Sequence, residues 1–150
     1  MRILLAIDDS TFSEAATQAV LRQMRPEEHE LHVLHVVEPI DSYPSYSHAV
    51  HHADLERAQQ TLVKHAKDLV ARVERLLREA GFTVHTAVEE GDPRTAIVDY
   101  AANRKCDLIV LGSHGRTGLD RFLMGSVAEF VARHGSCWVQ IVRTPRTKRR

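Results

Sequence analysis

Residues 107–130, DLIVLGSHGRTGLDRFLMGSVAEF, join an apolar run, a glycine-rich segment and the beginning of a helical pattern. The run DLIVLG is short and rich in Val, Ile and Leu, which predicts a buried strand, and SVAEFVARHG predicts a helix. Four of the seven glycines of the chain lie between them, in residues 112–126. This order predicts a parallel α/β sheet with a ligand crevice beyond the carboxyl ends of its strands.

The same alternation of strand and helix continues along the rest of the chain. The five predicted strands are residues 3–8, 31–37, 82–88, 107–112 and 138–142, and the four predicted helices are residues 11–24, 53–81, 92–105 and 126–135. Apolar strands that alternate with helices indicate a parallel sheet covered on both faces. We therefore predict one doubly wound five-stranded α/β domain with strand order 3-2-1-4-5 over residues 1–143, followed by a basic tail over 144–150.

Local signals place the ends of these helices. Thr11 with Glu14 suits a capping box, Asp92 before Pro93 suits a helix start, and Gly81 and Gly135 suit helix ends. In the long second helix we expect one apolar stripe to pack on the sheet. Its members are Leu62, Ala66, Leu69, Val73, Leu76 and Ala80.

Composition excludes several classes of protein. The chain is 43% hydrophobic and 27% charged, and no apolar run approaches the roughly 20 residues that span a bilayer. MRILLAIDDS does not resemble a signal peptide, so we expect a cytoplasmic protein without membrane contact. The net charge is zero, and five of the 20 basic side chains lie in the last eight residues. The rest of the chain has 15 basic against 20 acidic side chains, so we do not expect nucleic-acid binding. Cys106 and Cys137 are predicted to be small buried residues without a disulfide.

The glycine stretch has the spacing of an anion-binding loop, written G112-x2-G115-x9-G125-S126. Glycine lets backbone N–H groups approach an anion and adopt positive φ, and a helix N-terminus adds donors and a favourable dipole. Gly112 and Gly115 would line one side of a phosphate cradle, with the Gly125 end of the loop closing the other. The further donors in this segment are Ser126, Val127, Arg116 and Arg121.

Other interpretations compete with a ligand site at single residues. Ser126 with Glu129 forms a capping box by itself, and Gly125 also suits a turn. Asp8 ends the first strand, where it either binds ribose or a Mg²⁺ ion on the phosphates, or caps the first helix. Val36 would meet a purine, although core packing explains it better from the residues alone.

Missing motifs exclude most nucleotide enzymes. The chain has no G-x4-G-K-[ST], no G-x-G-x-x-G after the first strand and no G-x-S-x-G, and the glycine stretch has no lysine for phosphoryl transfer. Asp54 lies at a helix start rather than a strand end, which argues against a response-regulator receiver domain. We assign no catalytic residues and expect at most slow ATP hydrolysis.

The segment 39–54 is irregular and contains His48, His51 and His52. No Cys or second ligand set at a fixed spacing accompanies these histidines, so no metal-binding residues are assigned. The segment is either a lid over the crevice or a plain connection.

Taken together, four segments of the chain resemble the universal stress protein family. They are ILLAIDDS, LHVLHVVEP, VEEGDPRTAIVDYA and the C-terminal stretch DLIVLGSHGRTGLDRFLMGSVAEFVARHGSCWVQIVR. The intact G-x2-G-x9-G-[ST] spacing is typical of the ATP-binding branch. The resemblance implies a protein that binds ATP, for which we expect Mg²⁺ as the counterion, that often forms a homodimer and that acts in stress response or signalling.

Matched by position, the family's ligand contacts fall on eleven residues. Adenine and ribose contacts fall on Ala6, Asp8 and Val36, and phosphate contacts fall on Gly112, Ser113, His114, Gly115, Arg116, Gly125, Ser126 and Val127. The family commonly has Cys-Pro before its last strand, where this chain has Cys137-Trp138. The resemblance implies a homodimer paired through that strand, Trp138 to Val142. A hydrolase or phosphotransferase of the same fold, and a dimeric interaction module that binds no nucleotide, remain alternatives.

Overall fold

The computed structural model describes residues 1–42, 51–115 and 123–144. Outside this part lie Arg116, Arg121, residues 43–50 of the segment 39–54 and the tail beyond residue 144, so the predictions made on them stay predictions. Within it the chain alternates strands and helices as the sequence predicts. The elements are β1 (Arg2–Ala6), α1 (Thr11–Gln23), β2 (Glu30–Val37), a 3-10 turn (Ile40–Ser42), α2 (His52–Glu79), β3 (Thr83–Glu90), α3 (Pro93–Asn103), β4 (Leu108–Gly112), α4 (Ser126–His134) and β5 (Trp138–Val142).

All five strands join one parallel sheet, and its order is β3-β2-β1-β4-β5. The predicted fold class and strand order are therefore confirmed. Ala6 at the end of β1 pairs with Leu34 of β2 on one side and with Leu111 of β4 on the other. This register brings the carboxyl ends of the three central strands to the same end of the sheet.

Two apolar cores cover the two faces of the sheet. On one face, Val20 of α1 and Leu77 of α2 pack with strand residues such as Leu5. On the other face, Ile97 of α3 and Val131 of α4 pack with strand residues that include Leu4. Alternate residues of β1 thus serve opposite cores, as the period of a strand requires.

The packing face of α2 differs from the predicted stripe near its C-terminal end. Leu76 is 41% exposed and Ala80 is also exposed, whereas Val70 and Leu77 are buried. A straight helix repeats every 3.6 residues, so the buried face rotates away from a fixed series of positions over 28 residues. The prediction for Leu76 and Ala80 was wrong for this reason.

The helix ends confirm some of the predicted signals and correct others. Asp92 caps α3 by accepting a hydrogen bond from the Arg94 N–H, and Gly81 ends α2 with φ +96°. The cap of α1 is Ser10, whose side chain accepts from the Ser13 N–H, so the predicted Thr11 cap was displaced by one residue. Gly135 does end α4.

The two free cysteines differ in how deeply they are buried. Cys106 is buried, as predicted, and desolvation raises the pKa of its thiol to about 11. Cys137 is only partly buried, which corrects the prediction that both side chains lie in the core.

Candidate functional site: the crevice between β1 and β4

The crevice lies where the chain leaves two neighbouring strands toward opposite faces of the sheet. After β1 the chain enters α1, which packs in the first core, and after β4 it leads to α4, which packs in the second. Adjacent strands whose connections diverge in this way leave a gap beyond their carboxyl ends. Asp8 and Gly115 follow these two strands, so the gap lies between them.

Asp8 is anchored by its backbone and by one carboxylate oxygen. Its N–H donates to Ser13 Oγ at 3.0 Å, and its Oδ1 accepts from the Ser10 N–H at 2.9 Å. Ser10, not Asp8, caps α1, so the side chain of Asp8 organises the turn before the cap. The second oxygen, Oδ2, faces Gly115, because a Cβ built on that glycine would lie 3.0 Å from it. The crevice therefore presents one carboxylate oxygen toward the glycine stretch.

The two described ends of the glycine stretch meet each other. The Gly125 N–H donates to the Ser113 carbonyl at 2.8 Å, and His114 Nε2 hydrogen-bonds the Leu123 carbonyl. The His114 ring also lies 5.0 Å from the ring of Phe12 in α1. Because both ends are fixed to the sheet and to α1, the segment between them starts and finishes at the crevice.

The structure shows what a side chain would contact at the glycines of the motif. None of Gly112, Gly115 and Gly125 has positive φ, so left-handed backbone does not explain these glycines. A Cβ on Gly112 would lie 2.7 Å from two atoms of Phe12, which means that this glycine admits α1 against β4. A Cβ on Gly125 would lie 3.0 Å from the Ser113 carbonyl oxygen and 3.1 Å from His114 Cα. Close approach of backbone, rather than turn conformation, explains both positions.

The N-terminus of α4 opens beside this contact. Gly125 is its cap residue and Ser126 its first helical residue, so the predicted capping box of Ser126 with Glu129 is absent. Glu129 instead forms an i,i+4 ion pair with Arg133 at 2.9 Å. Ser126 is exposed and Val127 is partly buried. The first N–H groups of a helix have no intrahelical acceptor, so they are available to an anion at this end of α4.

Ala6 and Val36 lie on the side of the crevice nearest β2. Ala6 is 8% exposed at the end of β1, and Val36 is partly buried and packs against the second core. Because Leu34 is the partner of Ala6, Val36 lies two residues beyond it along β2, at the same edge of the sheet.

Sequence reasoning missed two contributors to this edge. His35 Nδ1 donates to the Ile7 carbonyl at 2.6 Å and fixes the backbone just before Asp8. Phe12 fills the space left by Gly112 and contacts His114. A polar residue within an apolar strand was the available signal for His35, whereas no local pattern identifies Phe12.

The structure thus brings together every described residue of the predicted set. Ala6, Asp8 and Val36 lie at the β1–β2 side of the crevice, and the described glycine-stretch residues lie at the β4–α4 side. Arg116 is outside the described residues. The roles of all these residues toward a ligand stay predictions.

Comparison with known proteins assigns the chain to a family. The model of the universal stress protein family matches residues 1–143. A curated relative, universal stress protein MJ0531 of Methanocaldococcus jannaschii, is 38% identical over 91 residues, which cover 61% of this chain and 54% of the relative. The chain thus matches about half the length of such curated relatives.

Solved structures show the same architecture over the whole chain. The structure of MJ0577 from M. jannaschii superposes with a TM-score of 0.81 at 27% identity and covers 97% of both chains. A universal stress protein family protein from Arabidopsis thaliana with AMP bound superposes with a TM-score of 0.68 at 18% identity, covering 97% of this chain and 93% of that one. At that identity the likeness concerns the fold alone.

No helix in the described part of the chain is long and apolar enough to cross a membrane. The family match spans nearly the whole chain, and the five-stranded fold agrees with that of the solved structures. This chain belongs to the universal stress protein family.

Proposed function

We propose that the crevice between β1 and β4 binds ATP with Mg²⁺ and that the chain belongs to the ATP-binding branch of its family. One observation carries the proposal. Gly115 faces the Asp8 carboxylate while Gly125 is hydrogen-bonded to Ser113, so the ends of the glycine stretch meet each other beside Asp8, just beyond the end of β1.

Each side of the crevice suits one part of the nucleotide. The small Ala6 and the half-buried Val36 would offer an apolar surface to adenine, and Asp8 Oδ2 would accept hydrogen bonds from ribose hydroxyls. The phosphates would meet backbone N–H groups of the glycine stretch and of the α4 N-terminus. We propose donors from His114, Gly115, Arg116, Ser126 and Val127. Gly112, Ser113 and Gly125 would contact the ligand without donating, because the Ser113 and Gly125 N–H groups already donate to the carbonyls of Val142 and Ser113.

Side chains at Gly115 and Gly125 would occupy this space. A Cβ on Gly115 contacts the carboxylate, and one on Gly125 contacts backbone, so neither position accepts a side chain without a shift. The bound AMP of the Arabidopsis protein supports the class of ligand, since that protein holds an adenine nucleotide on the same fold.

The proposed activity is regulatory binding with at most slow hydrolysis. The glycine stretch has no lysine to neutralise a transferring phosphoryl group. We also propose a homodimer through β5, a role in stress response or signalling, and a cytoplasmic location. A nucleotide that stays bound would stabilise the fold by mass action.

A matched pair of substitutions tests the crevice. Asp8→Asn changes the carboxylate at the carboxyl end of β1, and Asp107→Asn changes a carboxylate at the opposite edge of the sheet. Each carboxylate accepts one backbone N–H, from Ser10 and Arg2 respectively, so the local cost to the fold is similar. Binding of MgATP to nucleotide-free protein is measured by fluorescence competition or calorimetry.

Asp8→Asn should weaken MgATP binding about tenfold, equal to about 1.4 kcal/mol, and Asp107→Asn should leave it unchanged. Gly115→Val should abolish binding while the far-ultraviolet circular dichroism stays that of the wild type. Equal affinities for all four proteins would place the nucleotide elsewhere. Folded wild type that binds no nucleotide would leave the interaction module as the function.

A further inference from the structure

A second group of polar side chains lies at the other end of the sheet from the crevice. Glu30 begins β2 and pairs with Arg2 at the beginning of β1, whereas the crevice lies beyond Ala6 at the end of that strand. His32 follows two residues after Glu30, and His85 of β3 is its register partner. Residues two apart on a strand, and residues paired across strands, point to the same face. The three side chains therefore converge.

Their distances suit a metal ion. His32 Nε2 lies 3.1 Å from Glu30 Oε1, and His85 Nε2 lies 3.4 Å from the same oxygen. One ligand atom from each residue lies within 4.8 Å of the other two. Zinc bonds of about 2.0–2.2 Å in tetrahedral geometry separate neighbouring ligand atoms by roughly 3.3–3.5 Å. Two imidazoles and a carboxylate at this spacing form an open three-ligand set.

Tyr100 orients the buried member of the set. The Tyr100 hydroxyl lies 3.1 Å from His32 Nδ1, and both residues are about 95% buried. A hydroxyl can donate to or accept from Nδ1, so the imidazole can turn the lone pair of Nε2 toward a metal while Nδ1–H donates to Tyr100. Metal-bound histidines are generally held by such an outer hydrogen bond.

The side of the Glu30, His32 and His85 group that His85 forms is open to solvent. The His85 side chain is 53% exposed and its ring stacks on that of His32 at 4.9 Å. A cavity of about 350 Å³ borders both histidines and is lined also by Glu74, Arg78, Tyr100 and Arg104. Metal and water can reach the fourth position through it.

The guanidinium of Arg2 competes with a metal ion for the carboxylate of Glu30. The Arg2 Nε donates to Glu30 Oε1 at 3.2 Å, so a metal ion shares that carboxylate with a guanidinium. A carboxylate has two oxygens and about four lone-pair directions, which is enough for both partners. The arginine lowers the negative charge of the group, which favours nitrogen-binding metals over Ca²⁺ or Mg²⁺.

We propose that Glu30, His32 and His85 bind one divalent transition-metal ion of the zinc type, at a site separate from the nucleotide crevice. The three ligands leave one position open to water or to an anionic ligand in the cavity.

The test uses the full chain, freed of metal with a chelator and dialysed at pH 7.5. Titration with Co²⁺ is followed by visible absorption, which reports the coordination geometry, and Zn²⁺ affinity is measured by competition with a chromophoric chelator. His85→Asn removes a half-exposed ligand and should not impair folding. Tyr100→Phe keeps the ring and removes the outer hydrogen bond. The matched control replaces His48, His51 and His52 by asparagine, since those histidines are the competing source of a metal site.

We expect one equivalent of Co²⁺ with the intense bands of a four-coordinate ion. His85→Asn should weaken Zn²⁺ binding at least 100-fold, and Tyr100→Phe should weaken it about 10–100-fold. The triple control should bind like the wild type, and MgATP affinity should be unchanged in His85→Asn. The proposal is overturned if the wild type binds no Zn²⁺ at micromolar concentration, if His85→Asn binds it equally well, or if the control loses it.

Discussion

Replacing Gly112 by alanine should destabilise the fold, whereas the same replacement at Gly115 should not. A Cβ on Gly112 would lie 2.7 Å from the carbonyl carbon and the Cβ of Phe12, at least about 0.7 Å inside ordinary contact. Phe12 belongs to the first turn of α1, so its backbone can yield only if the helix moves away from β4. Overpacking of this kind costs about 1–3 kcal/mol.

The expected effect at Gly115 is much smaller. Gly115 is exposed, and among the residues that the structure describes its added Cβ would meet only Asp8 Oδ2, at 3.0 Å. Alanine also restricts the unfolded chain, which favours folding by about 0.4–1 kcal/mol and offsets that contact. The net change in the free energy of unfolding should therefore stay within about 0.5 kcal/mol.

Thermal unfolding followed by circular dichroism separates the two glycines. For a domain of this size 1 kcal/mol corresponds to about 2–4 °C, so a loss of about 2 kcal/mol at Gly112→Ala lowers Tm by about 4–8 °C. Gly115→Ala should lie within about 2 °C of the wild type on the same scale. The scans are made on nucleotide-free protein, so that ligand does not contribute. Equal Tm values for wild type and Gly112→Ala, or a larger loss at Gly115→Ala, would refute the packing role given to Gly112.

Three further predictions concern other parts of the molecule. Trp138 is 83% exposed on the edge strand β5, so Trp138→Lys should convert the proposed dimer to monomer in sedimentation velocity, and a wild-type monomer would contradict the interface. At pH 8 a disulfide reagent should label Cys137 and leave Cys106 unmodified until the protein unfolds. The reason is that burial raises the pKa of Cys106 to about 11 and shields its sulfur. Equal labelling rates for the two cysteines would contradict this prediction. Burial lowers the pKa of His32, so the unfolded chain binds more protons, and stability should fall as pH drops from about 6.5 through the folded pKa. His32→Gln should flatten the dependence of Tm on pH in that window, and an unchanged slope would contradict this prediction. The groups that face His32 are Glu30, His85, Arg2 and Tyr100.

The strands and their order could be predicted because each strand is a separate apolar run. Every predicted strand overlaps its observed counterpart, and Asp92 with Pro93 marks the beginning of α3 correctly. The sequence did not show which residue caps α1, since Ser10 and Thr11 are both good caps. The turn made by Asp8 selects Ser10. Local patterns thus determine the elements but not their last residue.

The tertiary roles of single residues depend on register and packing, which no local pattern contains. Asp8 and Gly115 were predicted to share the crevice, and the pairing of β1 with β4 confirms that they are neighbours. The role of Gly112 depends on how α1 crosses β4, and the group of Glu30, His32 and His85 depends on the register between β2 and β3. His32 and His85 are 53 positions apart along the chain, so their contact becomes visible only in the folded sheet.

The most direct measurement of the central claim is a calorimetric titration of nucleotide-free wild-type protein with MgATP. The account predicts saturable binding of one ATP per chain. The same titration of Gly115→Val should give no saturable heat, although that variant remains folded. Wild-type protein that is folded and releases no heat up to millimolar MgATP would contradict the account.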